Sequence, residues 1–137
     1  MVKKQIKNVL FVTTEAQPFA STGGMGEVCS SLPRALNATG KADARIIMPL
    51  YAEAAALYKD RMQFVCNITV GLAWRNQYCG LFRMEHNGVT YYFVDNEYYF
   101  KRNDIYGYYD DAERFAFFSR AAWELMPHLG FKPDVVQ

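Results

Sequence analysis

An apolar run followed by a glycine-rich turn and an amphipathic helix constrains this chain more than any other feature. Residues 6–14 contain the run Val-Leu-Phe-Val, which predicts a strand buried on both faces of a parallel sheet. Gly23 and Gly24 follow, and a helix is predicted from about Met25. Such a turn lies at the carboxyl edge of a parallel sheet, where α/β proteins bind ligands. Glycines let backbone N–H groups approach a phosphate or a sugar hydroxyl at the positive end of the helix, although a simple loop remains the alternative.

Further elements predict an α/β fold with an antiparallel insert. The helix stops at Gly40, and residues 44–48 form a second parallel strand that Pro49 ends. Apolar residues alternate with polar ones over 64–70, which indicates a half-buried strand. Residues 81–94 then predict a hairpin, because an Asn-Gly pair interrupts two apolar runs.

The last third of the chain predicts a loop, a long helix and one more strand. Residues 96–109 are rich in tyrosine without clear periodicity, which favours a partly ordered surface loop of more than usual length. Asp110 and Glu113 have the spacing of a capping box, and an apolar stripe continues from there to Gly130. Trp123 lies near this stripe, so core packing is its expected role. Residues 133–137 indicate a further buried strand.

Composition is that of an ordinary globular domain without a charged partner. Hydrophobic residues make up 51% of the 137 residues and charged residues 21%, with a net charge of +1. Because nucleic-acid and membrane surfaces attract clustered basic residues, neither partner is expected. The chain has no apolar span of membrane length, and residues 1–4 do not open a signal peptide, so a cytosolic protein is expected. Its three cysteines lack metal-site spacing, and we expect no metal, cofactor or disulfide.

Two blocks of sequence resemble the N-terminal part of the catalytic region of bacterial glycogen synthases and plant starch synthases. The first block consists of Thr-Glu at 14–15, Pro-Phe at 18–19, Thr-Gly-Gly-Met-Gly-Glu-Val at 22–28 and Ser-Leu-Pro-Arg-Ala-Leu at 31–36. The second consists of Tyr-Phe-Val-Asp-Asn at 92–96, Ile-Tyr-Gly-Tyr at 105–108 and Asp-Asp-Ala-Glu-Arg-Phe-Ala-Phe-Phe at 110–118. The family signature reads K-T-G-G-L-G/A-D-V, so Ser21 replaces its lysine and Glu27 its aspartate.

The resemblance implies a Rossmann-like, doubly wound, mainly parallel sheet with an antiparallel hairpin insert. Residues 1–137 would be the incomplete N-terminal domain of a two-domain, retaining glycosyltransferase. The family moves glucose from ADP-glucose or UDP-glucose to the nonreducing end of an α-1,4-glucan, so a nucleotide sugar and a glucan are the implied partners. The histidine and the cations that the family uses lie in later segments, so the resemblance assigns no catalytic residue here and implies that this chain alone is inactive.

The resemblance also implies which residues of this chain bind substrates. The donor would contact the turn and the first turn of the helix, through Ser21, Thr22, Gly23, Gly24 and Glu27. For Glu27 the alternative is a first-turn carboxylate that only stabilises the helix. Further candidates for an acceptor site or a site wall are Glu15, Asp95 and Tyr106; the alternatives are loop support for Glu15 and an aromatic core contact or lid for Tyr106.

Two other functions remain open at this stage. The chain could be a noncatalytic module that binds glucan or nucleotide, or part of a nucleotide-sugar glycosyltransferase with a different acceptor. A sheet that ends within residues 133–137 would also leave an open edge and an apolar face, and we therefore expect the 137-residue chain to self-associate.

Overall fold

A six-stranded sheet runs through the computed structural model, which describes residues 5–137. Residues 1–4, on which part of the expectation of a cytosolic protein rests, lie outside the described residues. The strands are β1 (Lys7–Val12), β2 (Ala42–Pro49), β3 (Gln63–Leu72), β4 (Arg75–His86), β5 (Val89–Asp95) and β6 (Val135–Val136). Their order across the sheet is β3-β4-β5-β2-β1-β6. The helices are α1 (Gly24–Ala38), α2 (Ala52–Tyr58), α3 (Glu97–Phe100) and α4 (Asp111–Leu125).

The predicted parallel part of the sheet is confirmed. β1 pairs in parallel with β2 and β6, and β2 pairs in parallel with β5. The predicted burial of the last strand is wrong, because Val135 and Val136 of β6 are 49% and 50% exposed. Helix α1 connects β1 to β2, which completes the expected β-α-β unit. The first strand is less covered than its apolar run predicts, because Leu10 and Phe11 are buried but Val9 and Val12 are only half-buried.

Both faces of the sheet centre are covered, as a doubly wound fold requires. Neighbouring residues of a strand point to opposite faces, and Tyr91 and Tyr92 of β5 are both buried. Tyr91 packs edge-on against Phe19, from the loop between β1 and α1. The Tyr92 hydroxyl donates to the carbonyl oxygen of Leu129, beyond α4, at 2.8 Å. The N-terminal and C-terminal segments therefore cover opposite faces.

The antiparallel insert is confirmed, and it is larger than predicted. Strand β4 pairs antiparallel with β5 and also with β3, so three strands form a meander. The β4–β5 connection is the expected Asn-Gly turn, with positive φ values of 50° at Asn87 and 75° at Gly88. The β3–β4 connection, Ala73 and Trp74, was not predicted. Ala73 has a φ of 54° without being a glycine, so the residue type gave no turn signal.

The tyrosine-rich segment is more ordered than a surface loop. Residues Glu97–Phe100 form the short helix α3, and the Asn96 side chain accepts a hydrogen bond from the Tyr99 backbone N–H at 3.0 Å. Tyr99 and Phe100 are completely buried. The predicted loop is found over residues 101–109, and the helix before it was missed because one helical turn is too short to show periodicity.

Helix α4 exists as predicted, but several of its details differ. Asp110 caps no backbone N–H; its carboxylate instead accepts two hydrogen bonds from Arg102, one of 2.8 Å. The α-helix ends at Leu125, and a 3-10 turn containing Pro127 precedes Gly130. Trp123 is 72% exposed, so the expected core packing is wrong. The buried face consists of Arg114, Phe117, Phe118, Ala121, Ala122 and Leu125.

Within residues 5–137, no helix has both the length and the apolar character that crossing a membrane requires. All three cysteines are free. Cys79 is buried in β4, the strand that lies between β3 and β5.

The two aromatic residues of α4 provide a test of the observed helix face. Phe117→Ala should lower the free energy of unfolding by about 3–5 kcal/mol, because it leaves a cavity in the core. Trp123→Ala should cost less than about 1 kcal/mol, because its side chain is largely in solvent. Urea unfolding of the two variants measures both values, and equal losses would contradict the helix orientation.

Candidate functional site

The loop that follows β1 brings the candidate residues to the carboxyl edge of the sheet. Thr13 continues the strand pairing, since its N–H donates to the Ile47 carbonyl oxygen at 3.1 Å. The loop then packs Phe19 into the core, 4.8 Å and 4.9 Å from the ring centres of Tyr91 and Phe93. The Gln17 N–H donates to the Gly26 carbonyl oxygen at 3.0 Å. These contacts fix both ends of the loop and leave its last residues at the surface.

Glu15 organises this loop through a buried carboxylate that is only 3% exposed. Its oxygens accept hydrogen bonds from the Thr22 backbone N–H at 2.5 Å and from the Thr22 hydroxyl at 3.0 Å. The Tyr106 hydroxyl donates to Oε2 at 2.6 Å. Burial opposes ionisation of Glu15, but the hydrogen bonds from Tyr106 and Thr22 outweigh it and lower the pKa of the carboxyl below its ordinary value. The group is therefore an ionised acceptor at neutral pH.

The glycine turn itself is exposed. Thr22, Gly23 and Gly24 are all accessible to solvent, and α1 begins at Gly24 with no side chain capping its first N–H groups. Gly23 has an extended backbone with φ of 179°. A Cβ added at Gly23 or Gly24 would meet no atom of the chain within 4 Å. Neither the backbone conformation nor the internal packing of the chain therefore excludes a side chain at these two positions.

Ser21 lies beside the turn and contacts the chain itself. Its hydroxyl donates to the Gly23 carbonyl oxygen at 3.3 Å, and its side chain lies against Gly26. Ser21 is exposed. It therefore reaches the turn through one weak hydrogen bond and carries no charge there.

Glu27 lies one helical turn beyond the glycines and borders a different cleft. This cleft of about 280 Å³ lies between α1 and the β4–β5 turn, and Arg34 and His86 also line it. Glu27 is exposed, and its backbone carbonyl oxygen accepts hydrogen bonds from the hydroxyls of Ser30 and Ser31 at 2.9 Å each. Residues 21–24 thus form the exposed turn, whereas Glu27 lines the cleft between α1 and the β4–β5 turn.

Two of the three further candidates, Glu15 and Tyr106, are in contact, whereas Asp95 lies elsewhere. Tyr106 and Glu15 are joined by the hydrogen bond described above, and the Tyr106 hydroxyl also lies 2.6 Å from the Thr14 hydroxyl. Burial and the bond to Glu15 raise the pKa of Tyr106 to about 12. Asp95 lines a separate cleft of about 310 Å³ with Lys59 and Lys101. Burial raises the pKa of Asp95.

Arg114 is a structural anchor of the site that the sequence interpretation missed. It is fully buried, and its guanidinium donates to the carbonyl oxygens of Tyr99 at 2.7 Å and Ile105 at 2.8 Å. It also donates to Asp111 Oδ1 at 2.8 Å. A signal was present, because residue 114 precedes the buried Phe117 and Phe118 by helical spacing. Arginine is rarely buried unless it is paired, which argued against this position.

The fold and the exposed turn define the class of protein. A doubly wound α/β sheet with a glycine turn at its carboxyl edge is the architecture of Rossmann-like ligand-binding domains. The family model described as starch synthase catalytic domain matches residues 8–137. The chain belongs to this family.

Named relatives agree with this assignment. The chain is 52% identical over 129 residues to a glycogen synthase of Caldicellulosiruptor saccharolyticus, covering 94% of this chain and 27% of that protein. It is 50% identical over 131 residues to a glycogen synthase of Oceanobacillus iheyensis, covering 96% of this chain and 28% of that protein. The chain thus spans about a quarter of the length of the curated relatives it matches.

A solved structure shares the fold. The catalytic domain of starch synthase IV from Arabidopsis thaliana, bound to ADP and acarbose, superposes with a TM-score of 0.83 at 28% identity. The match covers 96% of this chain and 27% of that one. The family resemblance and the fold predicted from the sequence are confirmed.

The buried carboxylate of Glu15 predicts a specific pH dependence. Because its pKa is lowered in the folded chain, its stabilising contribution is present above about pH 4.5 and is lost as the pH falls through the folded value. The difference in unfolding free energy between the wild type and Glu15→Gln should therefore narrow from about pH 6 to about pH 3. Urea unfolding at several pH values measures this difference.

Glu85→Gln is the matched control for this experiment, because the Glu85 side chain is 72% exposed. A change in this control as large as the change in Glu15→Gln would show that the pH effect is not specific to Glu15. A difference for Glu15→Gln that does not depend on pH would contradict the ionised, hydrogen-bonded carboxylate.

Proposed function

We propose that this chain is part of a retaining glucosyltransferase that moves glucose from ADP-glucose or UDP-glucose to the nonreducing end of an α-1,4-glucan. Family membership supports the proposal, together with relatives named glycogen synthase. The ligands of the structural neighbour, ADP and acarbose, match a nucleotide donor and a glucan-like acceptor. The choice between the adenine and uracil donors stays open in this proposal.

The exposed glycine turn is the observation that carries the proposal. Gly23 and Gly24 are required neither by backbone conformation nor by packing within the chain. A ligand that approaches the backbone closely does require them, because a Cβ would stand between it and the N–H groups. Uncapped N–H groups at the start of a 15-residue helix favour a negatively charged group such as a diphosphate.

In the proposed mechanism this chain supplies one wall of a closed cleft. Positive charge grows on the glucosyl ring and negative charge on the departing diphosphate, so fixed dipoles in a dry site lower the barrier. The N–H groups of the turn face the diphosphate, with Ser21 and Thr22 beside them. Glu27 accepts hydrogen bonds from sugar hydroxyls, while Glu15, Asp95 and Tyr106 belong to the acceptor side or to the wall of the site. No residue of this chain is assigned to the chemical step itself.

We further infer that residues 1–137 form only part of the first of two domains. The fraction of the relatives that the chain spans supports this inference. A cytoplasmic location belongs to the same proposal, and three free cysteines are consistent with a reducing compartment.

The donor-binding role of the turn is tested in the full-length protein that contains this chain. Gly24→Val should lower kcat/KM for the nucleotide sugar on the order of a hundredfold, because a branched side chain displaces the diphosphate from the N–H groups. Ser21→Ala should raise the activation free energy that corresponds to kcat/KM by at most about 1 kcal/mol, the value of one hydrogen bond. Steady-state kinetics with ADP-glucose and with UDP-glucose measure both effects.

Thermal melting provides the control: a Cβ at position 24 would meet no atom of the chain within 4 Å, and we expect Gly24→Val to leave the melting temperature nearly unchanged. Equal losses of kcat/KM in the two variants would show that the glycines do not contact the donor. The 137-residue chain alone is the negative control, from which we expect no glucose transfer.

An apolar groove between α1 and β1 supports the proposal that the chain self-associates. The groove has a volume of about 580 Å³ and is lined largely by aliphatic side chains, among them Val9, Val12 and Met25. Val28 and Leu32 of α1 are 55% and 42% exposed. The two-residue edge strand β6 lies beside it. Exposed apolar patches and open edges favour pairing with a second copy.

Light scattering of the 137-residue chain over a concentration series tests this proposal. The average mass should rise with concentration in the wild type and fall back toward the monomer in Leu32→Lys, which puts a charge into the groove. Leu57→Lys is the matched control, because Leu57 is 57% exposed on α2 and does not line the groove. A constant monomer mass for the wild type would refute self-association.

A further inference from the structure

Tyr106 is held in place from both sides by the first turn of α4. The buried Arg114 donates to the carbonyl oxygen of Ile105, the residue before it, at 2.8 Å. The Asp111 carboxylate accepts from the N–H groups of Gly107 at 2.8 Å and Tyr108 at 3.1 Å, directly after it. Asp111 and Arg114 are themselves joined at 2.8 Å. The backbone around Tyr106 is therefore fastened to a helix that the core holds.

The Tyr106 side chain extends from this support to the loop after β1. Its ring packs against Phe115, with ring centres 5.6 Å apart, and its hydroxyl ends 2.6 Å from Glu15 Oε2. Glu15 in turn holds the backbone N–H and the hydroxyl of Thr22. Three hydrogen-bonded steps thus connect α4 with the residue that precedes Gly23.

We propose that Tyr106 and Glu15 are positioning residues that fix the glycine turn, and with it the N–H groups of Gly23 and Gly24, for the nucleotide sugar. This inference rests on the proposed function and adds two residues that act through Thr22 without touching the donor. It changes the assignment of Tyr106, whose hydroxyl serves the donor side of the site.

The form of the turn explains why such support is needed. A Cβ at Gly23 or Gly24 would meet no atom of the chain within 4 Å, and Gly23 accepts one long hydrogen bond, from the Ser21 hydroxyl at 3.3 Å. Gly23 as N-cap offers no side chain to hold the first N–H groups either. The bonds from Glu15 to Thr22 are the side-chain restraint immediately before the pair, and Tyr106 fixes the carboxylate that makes them.

The test uses the full-length protein that contains this chain, with Tyr106→Phe as the main variant. Phenylalanine keeps the ring on Phe115 and removes only the hydroxyl. Tyr109→Phe is the matched control, because Tyr109 is fully exposed. Hydrogen exchange of the Thr22 backbone N–H, which donates to Glu15, is measured without ligand, and steady-state kinetics are measured with ADP-glucose and UDP-glucose at saturating glycogen.

We expect Tyr106→Phe to speed exchange of the Thr22 N–H and to lower kcat/KM for the nucleotide sugar on the order of tenfold, because misplaced contact groups weaken transition-state stabilisation. The KM for glycogen should stay unchanged, and Tyr109→Phe should alter neither readout. At position 22, Thr22→Ser keeps both hydrogen bonds to Glu15 and should lose less kcat/KM than Thr22→Val, which keeps only the N–H.

Several results would overturn the inference. Unchanged exchange in Tyr106→Phe would show that the hydroxyl does not hold the turn. Faster exchange with unchanged kinetics would show a purely structural bond, and an effect confined to the KM for glycogen would place Tyr106 at the acceptor. A wild-type protein that transfers no glucose from either donor would instead refute the proposed function, and the inference with it.

Discussion

The buried carboxylate of Glu15 is the interaction on which the arrangement of the carboxyl edge depends. A buried charge is costly unless donors satisfy it, and here two donors of Thr22 and the hydroxyl of Tyr106 do so. Because Tyr106 is 91 residues further along the chain, this single group joins segments that share no secondary structure. The exposed turn is thereby tied to the core at Thr22, the residue directly before its two glycines.

A second buried charge, Arg114, fixes the other end of the same connection. Its guanidinium lies 4.9 Å from the ring centre of Tyr108 and 5.0 Å from that of Phe115, in addition to its three hydrogen-bond acceptors. One nitrogen, Nη2, has no partner among the described residues. Cation–π contacts and charge-assisted hydrogen bonds together offset the desolvation of such a group. Arg114 and Glu15 thus act at opposite ends of a chain of hydrogen bonds and do not form an ion pair.

The elements that the sequence predicted well are those that local pattern determines. Continuous apolar runs identified β1 and β2, and the positive-φ pair Asn87 and Gly88 identified the hairpin. The features that were predicted wrongly depend on contacts with residues outside the local pattern. Asp110 pairs with Arg102 in place of capping α4, and the outward direction of Trp123 follows from which helix face meets the sheet. For the site, Glu15 and Tyr106 were both candidates, but residue type and spacing carry no information that their side chains meet.

Gly88 differs from Gly23 and Gly24 in whether the folded backbone requires a glycine at that position. Gly88 has a φ of 75° in the hairpin turn, so the backbone of the folded chain explains its presence. Gly23 and Gly24 have no such explanation, since a side chain at either position would point into open space. A residue type that costs conformational entropy and is not demanded by the fold indicates a demand from outside it. In the site proposed above, the two glycines follow Thr22, whose N–H and hydroxyl donate to the buried carboxylate of Glu15, so the proposal joins this support and the open backbone in one donor site.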